Sequence, residues 1–261
     1  MYFFKIKNLL GLSVLALSTA AVAGNNIVKI GTDATYPPYE YQTSNGEIVG
    51  FEIEIGNAIC EVMQKQCEWQ NVGFDGLILG LKSRKVDIAF SSLGITESRK
   101  QHVSFSDVIW TGYSSMLSHR DLHLEPTAES LKGKTVGVQI GTMQEDYANQ
   151  VLAQNGVNVK VYQDQDSVYL DLKNGRIDAS LQDMVQAQFT FIRDGKNADY
   201  VNTKIVDALL PADSAVAVRK NDKNTLAWFN EGLNKIHQNG NFEKIQTKYF
   251  GQLVLAPAKE Y

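Results

Sequence analysis

Arg99 lies three residues after Thr96 in the run Gly94-Ile95-Thr96-Glu97-Ser98-Arg99, just behind the serine pair Ser91-Ser92, and much later Asp183 follows a short apolar stretch. A guanidinium fork, hydroxyls and the free amides of a starting helix are what a carboxylate requires. An acid such as Asp183 accepts from an ammonium, so the set suits a zwitterion. The ordinary alternatives are an ion pair from Arg99 to Glu97 or Asp107 and a helix-capping role for Asp183. A second acid, Asp33, stands beside Tyr36 and Tyr39, and Phe74 opens a later helical segment. Aromatic faces around a carboxylate suit a flat or cationic group, unless Tyr36 and Phe74 are plain core residues.

Other chemistry is poorly supplied. Of the histidines, only His119 and His123 have a metal-like spacing, without the glutamate that a helical zinc motif carries. No Gly-x-Ser-x-Gly or Gly-x-Gly-x-x-Gly occurs, and Gly133-Lys134-Thr135 has Ala128 where a phosphate loop needs its first glycine. Neither a metal, a nucleotide nor any other cofactor is expected.

Elements must bring these residues together. Apolar runs of strand length alternate with helical periodicity: strand 27–30, helix 52–64, strand 68–72, helix 74–83, strand 86–90; then strands 114–117 and 135–139, helix 143–154, strand 157–161, helix 166–174, strand 177–181 and helix 184–193. A strand at 215–219 and helices 222–238 and 241–249 follow, so the fold class is α/β. Leu79 to Phe90 matches Leu170 to Leu181 in pattern at an offset of 91, and Val28 to Thr32 matches Val138 to Thr142 at an offset of 110. The echoes predict two similar lobes. Ligands of open α/β sheets lie beyond the carboxyl ends of the strands. That rule selects Thr32 to Tyr36, Ser91 to Gly94, Thr142-Met143-Gln144 and Gln182-Asp183, which could meet in one cleft.

Composition sets the compartment and narrows the partners. The 261 residues carry a net charge of -4 and no long run of like charge, which disfavours nucleic acid and anionic membrane. Lys5 and Lys7 precede an apolar stretch from Leu9 that closes on Ala21-Val22-Ala23, the pattern of a cleaved signal peptide over residues 1–23. Its loss removes two lysines, leaving 23 basic against 29 acidic residues. Export to an oxidising compartment allows Cys60 and Cys67 to pair. On one helix they would be roughly 10 Å apart, so pairing requires the helix to end between them; two buried free thiols are the alternative.

Gly31-Thr32-Asp33-Ala34-Thr35-Tyr36-Pro37-Pro38-Tyr39-Glu40, Gly50-Phe51-Glu52-Ile53-Glu54, Ser91 to Arg99 with Phe105-Ser106-Asp107, Leu131 to Val138, Asn174 to Asp178, Gly240-Asn241-Phe242 and Lys248-Tyr249-Phe250 follow one another along the chain. In that order they resemble the periplasmic polar amino-acid-binding proteins of ATP-driven (ABC) importers, above all the lysine/arginine/ornithine, histidine and arginine binders. The resemblance implies a two-lobe fold with two crossover strands: residues 24–111 and 211–261 in lobe 1, 112–210 in lobe 2. It implies a ligand set of Asp33, Tyr36, Phe74, Ser91, Ser92, Gly94, Thr96, Arg99, Thr142, Met143 and Asp183, with Arg99 on the carboxylate, Asp183 on the ammonium, Tyr36 and Phe74 stacking, and Asp33 on the ligand side chain. It also implies a Cys60–Cys67 disulfide. Two positions depart from the pattern: Gly94 replaces a common serine, and Met143 a common threonine.

The expected protein is a monomeric periplasmic binder of a free, basic L-amino acid, arginine before lysine, ornithine or histidine, which hands its ligand to a membrane permease and performs no chemistry. The alternatives are a glutamine-type binder, a sensory module, and an exported enzyme similar to the cyclohexadienyl dehydratases on the same scaffold.

Overall fold

The computed structural model describes Met1, residues 26–253 and Leu255, with only the backbone at 194. The expected signal peptide thus lies outside the described residues, apart from Met1. The chain runs β1 (Ile27–Thr32), β2 (Thr35–Tyr36), β3 (Glu40–Gln42), β4 (Ile48–Val49), α1 (Phe51–Val62), β5 (Gln66–Asn71), α2 (Leu77–Lys82), β6 (Ile88–Ala89), α3 (Glu97–Lys100) and β7 (Val103–Thr111). It continues through β8 (Ser114–His119), β9 (Thr135–Gln139), α4 (Met143–Tyr147), β10 (Asn158–Tyr162), α5 (Gln165–Lys173), β11 (Ala179–Asp183), α6 (Met184–Ala187) and β12 (Tyr200–Lys204). β13 (Asp213–Arg219), α7 (Lys223–Gln238) and α8 (Asn241–Phe250) complete it.

Two five-stranded sheets form, ordered β5-β1-β6-β13-β7 and β10-β9-β11-β8-β12. The echoed segments occupy equivalent places: β1 lies between parallel neighbours β5 and β6, and β9 between parallel β10 and β11. In each sheet the next strand, β13 or β8, runs antiparallel. The chain passes between sheets at Gly112-Tyr113 and again over residues 205–212. Each sheet buries its own apolar cluster, Ile30, Ile55, Ile59, Phe90, Val216 and Phe229 in the first, Met116, Val136, Val138, Leu152 and Leu181 in the second.

Differences from the expected elements have local causes. The helix expected over 74–83 opens with a 3-10 turn, Phe74–Gly76, before α2, and those over 143–154 and 184–193 widen into π turns after α4 and α6. β7 escapes periodicity because bulges opposite Ala215 break its alternation, and Ser106 occupies the irregularity, accepting from Val216 N at 3.1 Å. β12 is an edge strand without a fully buried residue.

The cysteines form a disulfide. Cys60 ends the buried face of α1, the helix stops at Val62, and Cys67 enters β5, which brings the Cα atoms to 6.0 Å. The loop it closes is short, so removing both sulfurs by Cys60→Ala with Cys67→Ala should cost about 2–3 kcal/mol. Reversible denaturation of the double variant against the oxidised parent measures it; equal stability would mean the staple constrains nothing.

Candidate functional site

The carboxyl ends of the strands of both sheets face each other around one cavity. Of the expected residues it is lined by Asp33, Tyr36, Phe74, Ser91, Ser92, Gly94, Arg99, Thr142, Met143 and Asp183. Thr96 is not among its lining residues: its Oγ1 accepts from Arg99 N at 3.2 Å and caps α3.

Arg99 is 8% exposed and, among the described residues, forms no salt bridge, although the charge of Asp146 reaches it. Instead it donates Nη1 to Gly94 O at 2.8 Å and Nη2 across the cleft to Gly141 O at 2.9 Å, and its Cζ stands 5.4 Å from the centre of the Phe74 ring. The ion pair with Glu97 or Asp107 does not form; Glu97 pairs with Lys100. Burial lowers Arg99 to about 10, against the smaller opposing effect of the Asp146 charge.

Asp183 plays both of its possible parts. Its Oδ1 caps α6 by accepting from Gln186 N at 2.8 Å, and it accepts from Tyr39 Oη at 3.2 Å, while its own amide donates to Tyr36 Oη at 3.0 Å. Burial pushes its carboxyl up to about 6 against the pull of these donors. Gly112 is small because the crossover passes between Trp110 and Asp183; a Cβ there would lie 2.5 Å from the indole and 2.9 Å from Asp183 Oδ2.

Asp33 is equally enclosed, 5% exposed, with Oδ1 accepting from Thr35 Oγ1 at 2.9 Å and Oδ2 from Gln139 Nε2 of the other lobe at 2.7 Å. All its side-chain partners are neutral, and burial raises its pKa. Tyr36 stacks on Tyr39, which stacks on Trp110 at 4.5 Å. Ser91 and Ser92 donate their hydroxyls to Glu40 at 3.3 and 3.2 Å. The Thr142 hydroxyl is likewise engaged, donating to Gln139 O at 2.7 Å and accepting from Glu145 N at 3.1 Å.

The two departures from the family pattern explain each other. A Cβ on Gly94 would sit 2.9 Å from Met143 Sδ, so the missing side chain on one lobe makes room for the thioether of the other. Sequence reasoning missed Glu40, Trp110, Gln139, Tyr113 and Asp213, which also line the cavity, as does Gln144 of the selected segment Thr142-Met143-Gln144. Gln139 was within reach, being the last residue of a strand whose carboxyl end was already selected. Trp110 gave no signal, because it belongs to the strand that periodicity did not show.

The chain is 41% identical over 251 residues to the lysine/arginine/ornithine-binding periplasmic protein of Escherichia coli K12, covering 94% of this chain and 96% of that one. It is similar to the solved structure of an ancestral arginine-binding protein bound to arginine, at 31% identity and a TM-score of 0.81, over 87% of this chain and 99% of the other. An ancestral arginine-binding protein bound to glutamine gives 32% identity and a TM-score of 0.79 over the same shares. Residues 28–252 match the family model of the bacterial extracellular solute-binding proteins, family 3, and the chain belongs to that family.

Proposed function

We propose that the protein is the periplasmic solute-binding component of an ABC amino-acid importer and that it captures a basic L-amino acid, arginine first, between its lobes. The observation that carries this reading is a buried guanidinium, Arg99, sharing one cavity with two buried acids, Asp183 and Asp33, none of the three in a salt bridge among the described residues. An amino acid with a cationic side chain supplies the three missing counter-charges at once: carboxylate to Arg99, ammonium to Asp183, side chain to Asp33 between Tyr36 and Phe74. The remaining lining residues close around it, Gly94 against Met143 and Thr142 shaping the turn above.

In this reading residues 1–23 are a cleaved signal peptide, 24–111 with 211–261 form one lobe and 112–210 the other. The protein acts as a monomer, performs no chemistry, and delivers its cargo to a membrane permease. Support for the address comes from the leader pattern, the disulfide and the periplasmic relative.

A thermal-shift screen of all amino acids tests the ligand, since what binds only the folded form raises the melting temperature by mass action. Arginine is expected to give the largest rise. Asp33→Asn should weaken arginine by about 1–3 kcal/mol in titration calorimetry and glutamine much less. Tighter binding of glutamine than of any basic amino acid would overturn the pocket assignment and leave the family untouched.

A further inference from the structure

Two buried acids, one on the wall of the cavity and one behind it, have no role in the proposed binding of the ligand. Glu40, which opens β3, and Glu52, in the first turn of α1, are 1% and 0% exposed. Their segments are clamped together by Phe51 N to Pro38 O and Glu52 N to Tyr39 O, both 2.9 Å. The two carboxyls hydrogen-bond each other, and Ser92 reaches both, its amide donating to Glu52 Oε2 at 2.7 Å and its hydroxyl to Glu40 Oε2 at 3.2 Å. Ser91 Oγ donates to Glu40 Oε1 at 3.3 Å and Trp110 Nε1 to Glu52 Oε1 at 2.6 Å. Among the described residues neither acid has a cationic partner.

Two carboxylates in contact in a desolvated site cannot both ionise at neutral pH, so a proton must lie between them. Burial is the main cause holding both acids up, Glu52 at about 7 and Glu40 well above the usual carboxylate range with the charge of Glu52 adding to it. Near neutrality the pair therefore passes from two protons to one, as a unit rather than as separate residues. The groups that face it are Asp33 at the end of β1, Asp183 at the end of β11, Tyr36 and Tyr39, with Arg99 and Asp213 on the other cavity walls. Glu40 itself lines the cavity, so the pair is separated from a bound ligand by no other layer of protein.

We propose that the Glu40–Glu52 pair couples ligand capture to proton release: a cationic amino acid settling against Asp183 and Asp33 breaks one carboxyl O–H bond of the pair, and the proton leaves to solvent. This rests on the cavity being a basic-amino-acid site. Asp33 acts on Glu40 and Asp183 on Glu52 by charge repulsion, which favours the protonated pair. Ligand cations at those acids cancel the repulsion, and the pair, now a monoanion, becomes a further counter-charge for the ligand. By linkage the reverse also holds: affinity for a cationic amino acid rises with pH through the titration of the pair. The device gives Glu40 and Glu52 a positioning role as well, since they hold Ser92 at its left-handed φ of 48° beside the ligand.

Calorimetric titration of the full chain with L-arginine at pH 7, in two buffers of different ionisation enthalpy, reads the protons exchanged. Release of roughly half a proton is expected from a group half-protonated there, with Kd falling roughly threefold per pH unit. Asp183, held near 6, contributes only about a tenth of a proton at that pH. The double variant Glu40→Gln with Glu52→Gln should lose all but that remainder; undiminished release would overturn the proposal. Should the double variant fail to fold, carbon-13 NMR of the wild-type glutamate carboxyls decides: two resonances that titrate together near neutrality and move toward the ionised position when arginine is added support it, and two that titrate as ordinary exposed glutamates sink it. If arginine does not bind at all, the functional reading falls. The pair is then tested by the thermal stability of the free wild type, which should decline as pH rises through about 7, because acids with raised folded pKa values stabilise only while protonated.

Discussion

Arg99→Ala is expected to weaken arginine binding by about 2–5 kcal/mol, roughly thirtyfold to several-thousandfold in Kd, because it leaves a desolvated ligand carboxylate without its partner. The free protein should lose little stability, since burial already disfavours the charged guanidinium, which offsets the loss of its bonds to the carbonyls of Gly94 and Gly141 and of its contact with the Phe74 ring. Arg99→Lys should fall between, a point charge being unable to replace the fork. Calorimetry alongside circular dichroism separates affinity from folding. Nearly unchanged affinity in a folded Arg99→Ala protein would remove Arg99 from the carboxylate site.

Gly50→Ala should be the most damaging single methyl in the first lobe. Gly50 has φ 139° and ψ 177°, a conformation essentially reserved for glycine, and an added Cβ would lie 2.2 Å from Tyr39 O. The clash is with backbone, so no side-chain rotation relieves it. The methyl would push apart the loop carrying Tyr39 and Glu40 and the start of α1 carrying Glu52. A loss of more than about 4 kcal/mol, or failure to fold, is expected. Wild-type melting in the variant would show that this joint yields without cost.

Much of the cavity could be read from the sequence because its residues follow strand ends. Asp33 after β1, Ser91-Ser92 after β6, Thr142 after β9 and Asp183 ending β11 all obey the one geometric rule, and the helix start behind Arg99 is capped by Thr96 as its spacing suggests. The sheet order repeats where the two internal echoes repeat. The acid pair was illegible for the opposite reason. Glu40 and Glu52 sit in a short strand and a helix whose contact depends on the chain folding back at Gly50, and both fit equally well as ordinary charged residues of their segments. Their meaning comes from complete burial, which neither periodicity nor spacing reports for a glutamate. The hydrogen bonds of the two serine hydroxyls to Glu40 were illegible for the same reason.

The order of strands has a consequence for how the molecule comes together in time. Every strand of the β10-β9-β11-β8-β12 sheet lies between Ser114 and Lys204, whereas the first sheet needs β13, which arrives only at Asp213, to join β6 to β7. The nested sheet can therefore complete its pairing from contiguous chain, while β7 waits more than a hundred residues for its partner, a long loop closure that slows nucleation. Refolding should show the nested half acquiring hydrogen-exchange protection first, with β5-β1-β6 protected only as β13, α7 and α8 dock. A ligand that bridges both halves would then act late, sealing a nearly assembled molecule rather than templating it.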